Sequence, residues 1–267
     1  MPLDLSEEGA LAARLTDALW RSGSVFAGEE LAALAEVSAD VDELCALVER
    51  RRAGARIEYL VGHADFCGVR VGLRPGVFVP RPRTSWLVEL AVTRLAAGDR
   101  ILDFGCGSGA IALAVSARVA GLSIVAVDAD PIAVACARDN LCGPDRGADH
   151  AVVEQRNSLA DVPGGPFDLI AANLPYVPTG ELALMPREAR DHEPRLALDG
   201  GSDGLDPLRS AAPHVLTTLR PGGWILTEVS SDQAAVAEGV LRAARLSGIS
   251  THTDEDATVV AARRGPA

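Results

Sequence analysis

The sequence predicts an α/β protein: a doubly wound, mostly parallel sheet preceded by a small helical domain. Three observations point there. From Arg100 onward, short apolar runs alternate with segments of helical period. The loop after the first run, DFGCGSGA at Asp103 to Ala110, carries glycine at 105, 107 and 109. Before about residue 75 this alternation is missing, and leucines recur at helical spacing instead.

Leu11, Leu15 and Leu19 fall on one helix face, and Leu44, Leu47 and Val48 on another. Asp40 with Glu43 three places later has the form of a capping box. Arg50, Arg51 and Arg52 then lie near that helix's carboxyl end, where cations complement the dipole, and a solvated helix end explains them better than a nucleic-acid patch. Between Phe66 and Val79, short extended segments are punctuated by Gly68, Gly72, Pro75 and Gly76, which predicts a hairpin linker. The domains are accordingly set at 1–75, helical with the linker, and 76–267, the α/β domain. In the latter RILDF is a strand and GAIALAVSARV a helix; SIVAVD is a strand, and PIAVACARDNL a helix capped by Asp130 with Pro131 at its first position. AVVEQRN and FDLIAAN are strands, a helix follows Asp206 and Pro207, GWILTEV is a strand, a helix runs from about Asp232 to Leu246, and TVVAAR closes as a strand. Ligands of such sheets lie beyond the carboxyl ends of the strands, and Asn173 falls at one of them.

Composition narrows the function. A hydrophobic share of 48% with 23% charged residues describes a globular chain able to bury a core. Every one of the 25 basic residues is arginine, and the net charge of -12 disfavours a protein that lives by coating phosphate backbones. The cysteines Cys45, Cys67, Cys106, Cys136 and Cys142 form no CxxC pair and read as reduced thiols in a cytosol. The start, MPLDLSEEG, is acidic where a signal peptide needs positive charge, so a cytoplasmic protein is expected. Ala110 to Val127, the most apolar stretch, contains Arg118 and Gly121 and suits a helix followed by a strand better than a membrane span. His63, His150, His192, His214 and His252 lack ligand spacing and no HExxH occurs, so no metal is expected.

The glycine loop alone is ambiguous. Gly105, Gly107 and Ala110 also satisfy the dinucleotide fingerprint, and Asp128, at the end of the second strand, would bond ribose hydroxyls of a nicotinamide cofactor or of S-adenosylmethionine. The end of the fourth strand separates the two. Asn173, Leu174, Pro175 and Tyr176 suit an amino-group methyltransferase. Methyl transfer from a sulfonium is an in-line displacement, so the nucleophile must be held about 3 to 3.5 Å from the methyl carbon. A planar NH2 group is a poor nucleophile because its lone pair is delocalised. The Asn173 side-chain carbonyl and the Leu174 backbone carbonyl would accept its two hydrogens, Pro175 would stiffen the turn, and Tyr176 would stack on the planar group. The amide nitrogen can lose its proton to solvent once it carries the methyl, which spares the site a general base.

On these residues the chain resembles the HemK/PrmC protein glutamine N(5)-methyltransferases over nearly its whole length. YLVGHADFCGVRVGLRPGVFVPRP is similar to their interdomain segment, FGCGSGAIALA to their cofactor loop, NLPY to their Asn-Pro-Pro-Tyr, and REARDHEPRLALDGGSDGLDPLR to a further family stretch. The resemblance implies a class I S-adenosylmethionine-dependent methyltransferase fold with a helical substrate-recognition domain. It implies that Gly105, Cys106, Gly107, Ser108 and Gly109 cradle the methionine part of S-adenosylmethionine, that Asp128 holds the ribose, and that Asn157 and Ser158 contact adenine. Asn173 to Tyr176 would grip a glutamine amide of a protein substrate, a release factor or ribosomal protein, with the enzyme acting as a monomer and without a membrane. His192 and Glu193 read as part of a loop over the site rather than as a catalytic pair. Three positions depart from the pattern. Leu174 replaces a proline, Arg83 and Ser85 stand where acids are usual, and Ser230 replaces a glycine. NLPY is also the form in ribosomal RNA adenine dimethyltransferases, so adenine amino methylation of RNA or DNA is the alternative; those enzymes lack the PRP and DHEPRLALDGG segments.

Overall fold

A computed structural model describes residues 9–143 and 150–266. Residues 1–8, on which the signal-peptide reading rests, lie outside the described residues. The chain forms two compact units, one running through His63 with Pro186–His192 added, the other Ala64–Met185 with Glu193 to the carboxyl end.

The first unit is helical: α1 (Gly9–Arg21), α2 (Ala27–Val37), α3 (Val41–Arg52), α4 (Ile57–Val61) and the short helix Arg187–His192. Leu19, Leu34, Leu44 and Val48 are fully buried in its core. Asp40 caps α3 by accepting from Glu43 N at 2.9 Å, while Glu43 reaches back to Ala39 N, one residue before the cap, at 2.7 Å. The arginine run at the end of α3 divides. Arg50 and Arg52 are exposed. Arg51 points inward, donating to both oxygens of Glu30 at 2.9 and 2.8 Å, to Glu188 at 2.6 Å and to the Ala55 carbonyl at 3.1 Å.

The second unit begins with a hairpin, β1 (His63–Phe66) and β2 (Val69–Gly72), followed by α5 (Ser85–Val92). Then β3 (Arg100–Phe104), α6 (Ala110–Ser116), β4 (Ser123–Asp128), α7 (Pro131–Cys142), β5 (His150–Gln155) and β6 (Phe167–Ala172) alternate. The chain ends with α8 (Asp206–Thr218), β7 (Leu219–Val229), α9 (Ala234–Ala243), β8 (Ser247–Asp254) and β9 (Ala257–Arg263). The sheet order is β5-β4-β3-β6-β7-β9-β8; β9 is antiparallel to β7 and to β8, and the other pairings are parallel. This is the doubly wound sheet expected. Its central strands are buried on both faces, Ile101, Leu169 and Leu226 in one core cluster and Leu102, Ile170 and Ile225 in the other, which is why they read as continuous apolar runs rather than as alternation.

The sequence reading places the domain boundary at 75, whereas the compact units part at His63. The hairpin goes with the sheet because Phe66 and Val71 are buried beside α5 and α6, and because Asn140 of α7 accepts from Gly72 N and donates to Gly72 O, each at 2.8 Å. The edge strand β8 has no counterpart in the sequence reading, since SGISTHTD is mostly exposed and carries little apolar signal.

Strand order reverses between β3 and β6, with β4 and β5 on one side and β7 on the other. A crevice opens at such a switch point, at the carboxyl ends of the two strands. Asp103 is in register with Ala171, so the glycine loop and Asn173 leave the sheet side by side.

Candidate active site

The crevice holds a cavity of about 300 Å³. The glycine loop, Asp128, Asn157 and Ser158 line it together with Asn173, Leu174, Pro175 and Tyr176, so every candidate residue named from sequence except Gly109 contributes to its wall. Gly109 lies behind the loop at the start of α6, with α7 packed close by: a Cβ there would come within 3.1 Å of Leu141.

Most amides of the loop are spent on the protein itself. Gly105 N and Cys106 N donate to Val127 O, Gly109 N to Cys106 O, and Gly107 N to Asp128 Oδ2 at 2.8 Å. The Ser108 N–H makes no hydrogen bond among the described residues. What the loop offers a ligand is chiefly shape. Gly105 has φ of +76°, and a Cβ there would lie 3.1 Å from Leu174 Cδ2. Leu174 therefore packs, buried, against the glycine loop, and the positive φ together with the tight contact favours glycine at 105.

Asp128 accepts from Gly107 N on Oδ2 and from Asp130 N at 2.9 Å on Oδ1. Burial raises its pKa, while the N–H donors of Asp130, Gly107 and Ala129 oppose that. An ionised carboxylate has about four acceptor positions, so capacity remains for a ligand's hydroxyl. Ser158 Oγ accepts from Ala160 N at 3.2 Å and caps a short turn, keeping Asn157 and Ser158 on the cavity wall. Behind the loop lies an acid that the sequence reading passed over. Asp103 is fully buried, Ala112 N donates to its Oδ2 at 3.1 Å, and Oδ1 makes no hydrogen bond among the described residues. Burial pushes its pKa up to about 7, with the charge of Asp128 acting in the same direction.

At the other end, Asn173 Nδ2 donates to Thr84 Oγ1 at 3.2 Å. This turns the side-chain carbonyl away from Thr84 and leaves Oδ1 without a hydrogen bond among the described residues. Thr84 is 2% exposed, and nothing in its sequence surroundings signalled the role. Tyr176 is held by its backbone and by its hydroxyl. Gln233 Nε2 donates to its carbonyl oxygen at 2.8 Å, and its phenol donates to Glu228 Oε1 at 3.0 Å while accepting from Arg83 Nη2 at 2.7 Å. Burial, reinforced by Glu228, raises the phenol pKa well above its ordinary value, so the proton stays on the oxygen. Glu228 is an acid at the carboxyl end of β7, a position that strand topology could have flagged. Ser230 N, at a position expected as glycine, donates to Gln233 Oε1 at 3.0 Å and so helps fix the residue that holds Tyr176.

Pro194 and Leu196 to Asp199 also line the cavity. Val177 N donates to Leu198 O at 3.0 Å and Gly200 N to Val177 O at 2.8 Å, extending the Asn173 segment by a parallel bridge. Gly204, at φ +82°, lies so close that a Cβ would meet Tyr176 O at 2.1 Å. Glu193 is buried, and Arg81 Nη2 donates to its two oxygens at 2.7 and 2.6 Å. His192 belongs to the helical unit.

The chain is similar to known methyltransferases. Residues 71–188 match the methyltransferase small domain. The release factor glutamine methyltransferase of Gloeobacter violaceus is 39% identical over 80% of this chain and 76% of its own length. That of Xylella fastidiosa is 36% identical over 82% and 80%, and that of Geobacter sulfurreducens 37% over 73% and 67%. The chain belongs to the release factor glutamine methyltransferase family. Among solved structures, a methyltransferase from Pyrococcus furiosus superposes with a TM-score of 0.56 at 17% identity, covering 74% of this chain and 90% of that one. The ribosomal protein L11 methylase of Lactobacillus delbrueckii subsp. bulgaricus gives 0.54 at 20%, covering 73% and 85%. At such identities these two speak for the fold alone, that of a class I S-adenosylmethionine-dependent methyltransferase. As a member of its family the chain is an S-adenosylmethionine-dependent N-methyltransferase, and the cavity suits that cofactor: Asp128 has acceptor capacity to spare for a ribose hydroxyl, and at Gly107 a Cβ would meet nothing within 4 Å, so the loop leaves room for a ligand. Among the described residues no helix is long and apolar enough to cross a membrane.

Proposed function

We propose that this chain methylates the side-chain amide nitrogen of a glutamine in a bacterial peptide-chain release factor, with Asn173 to Tyr176 holding the amide and Asp128, the glycine loop, Asn157 and Ser158 holding the cofactor. S-adenosylmethionine, when bound, supplies an electrophilic methyl group; the remaining requirements fall on the protein. Asn173 Oδ1 and the Leu174 carbonyl accept the two amide hydrogens and fix the direction of the nitrogen. The Tyr176 ring stacks on the planar amide, and the nitrogen gives up one proton to solvent as it becomes the secondary amide. The gain comes from orientation, since a well-aligned pair is worth several powers of ten in effective concentration.

One observation carries this reading: the Thr84 hydroxyl holds the Asn173 amide nitrogen, so the carbonyl oxygen is the atom left for an acceptor's N–H. The helical unit is more than a small metabolite would need, and we assign it to docking the folded acceptor. The test is incubation with labelled methyl donor and a release factor, alongside the same factor with its acceptor glutamine replaced. Label in the first and none in the second is expected. Label that appears instead in RNA or DNA, with none in the release factor, would overturn the reading in favour of adenine methylation.

A further inference from the structure

Arg83 lines the acceptor end of the cavity, and its side chain is 39% exposed. Nη2 donates to Tyr176 Oη at 2.7 Å, and Nε reaches Glu228 Oε1 at 3.4 Å, the same oxygen that the phenol donates to at 3.0 Å. Arginine, phenol and carboxylate thus close a ring of three around one buried acid. Glu228 is 2% exposed, and its second oxygen has no hydrogen-bond partner among the described residues. Without the guanidinium, that carboxylate would be buried with the phenol alone to compensate it, which is costly. A cation would then be drawn to the site in place of a neutral amide. The Tyr176 carbonyl is already fixed by Gln233, so the ring's remaining freedom is rotation of the side chain. The hydroxyl is the point at which that rotation can be stopped.

We propose that Arg83 is a positioning residue for the acceptor. Through the Tyr176 hydroxyl and the Glu228 carboxylate it holds the tyrosine ring as the wall on which the planar amide stacks, and it cancels the buried charge so that the cavity admits a neutral amide. This rests on the function proposed above. It turns a position where the family resemblance led to an acid into a device of this chain: an acid at 83 would face Glu228 as a like charge, whereas arginine pairs with it.

The test is a cycle of Arg83→Ala, Tyr176→Phe and the double variant, with Arg83→Lys as the conservative change. Turnover on the release factor and calorimetric affinity for S-adenosylhomocysteine are measured for each. Arg83→Ala should lower kcat/KM by about tenfold to a hundredfold, the worth of a hydrogen bond to a charged group, and leave cofactor affinity within about twofold. Tyr176→Phe should lose a similar factor, and the double variant less than the product of the two single losses, because both changes remove the Arg83–Tyr176 contact. Arg83→Lys should recover part of the rate, keeping the charge but not the planar fork. Additive losses, a wild-type rate in Arg83→Ala, or a parallel fall in cofactor affinity would each overturn the proposal. An independent readout comes from the two tyrosines, Tyr59 and Tyr176. Fluorotyrosine labelling gives two NMR lines, and Arg83→Ala should move and broaden the one that Tyr176→Phe deletes. If the wild-type enzyme transfers no methyl to the release factor, the reading of function fails; an unchanged fluorine line in Arg83→Ala overturns the role of Arg83 whatever the acceptor.

Discussion

Replacing Asp103 by Asn should remove a slope from the pH dependence of stability. Asp103 sits inside the sheet with one N–H donor, and its pKa is raised from 3.8 to about 7. A carboxyl whose native pKa lies above its unfolded value binds more protons folded than unfolded in that interval. Its contribution is therefore complete below the unfolded value and is lost as pH rises through the native one. The shift is worth on the order of 4 kcal/mol, of which about 2.5 kcal/mol falls between pH 5 and pH 8. Asparagine keeps the size and can still accept from Ala112 N, but cannot ionise. It buries an amide NH2 in exchange, which costs about 1 to 3 kcal/mol at every pH. Urea unfolding followed by circular dichroism at pH 5, 6, 7 and 8 measures both effects. The wild type should lose stability relative to the variant by about 2.5 kcal/mol across that range, so that the variant's deficit narrows or reverses at pH 8. Other carboxylates titrate in both proteins and largely cancel in the difference; Asp128 is the neighbour whose charge helps to raise Asp103. Difference profiles that stay parallel from pH 5 to pH 8 would refute the reasoning.

Three further outcomes are expected. Asp128→Ala should weaken S-adenosylhomocysteine binding more than tenfold by calorimetry, as expected for charge-assisted hydrogen bonds of about 1.5 to 3 kcal/mol; unchanged affinity would remove Asp128 from the cofactor site. Asn173→Ala should reduce kcat on the release factor by about a hundredfold or more with cofactor affinity nearly intact, while Asn173→Asp keeps an acceptor oxygen and some activity; a wild-type rate in the alanine variant would defeat the assignment. Arg51→Ala should destabilise the helical unit by about 3 kcal/mol, because it strands Glu30 half-buried without its cation; a loss under about 0.5 kcal/mol in chemical denaturation would show a surface pair only.

Much of this protein was legible in one dimension. Apolar runs from Arg100 onward marked six strands and the switch-point architecture, because a sheet covered on both faces cannot hide its composition. The glycine loop, Asp128 and NLPY were legible for another reason: tight turns, close backbone approach and a strand-end carbonyl each demand particular residue types at fixed spacing. Where signals were weak, so was the reading. The edge strand β8 is polar and half-solvated, and the hairpin joined the sheet through Asn140, a contact across 68 positions that no local pattern announces. The tertiary structure alone decided how the site is completed. Thr84, Gln233 and Glu228 reach the NLPY segment from two other parts of the chain, and Leu174 and Arg83, which looked like departures from a pattern, acquire partners only once the chain is folded. Local sequence specifies backbone conformation through sterics and hydrogen bonding over a few residues. Which side chains satisfy a buried acceptor or charge depends on positions that meet only when the sheet assembles.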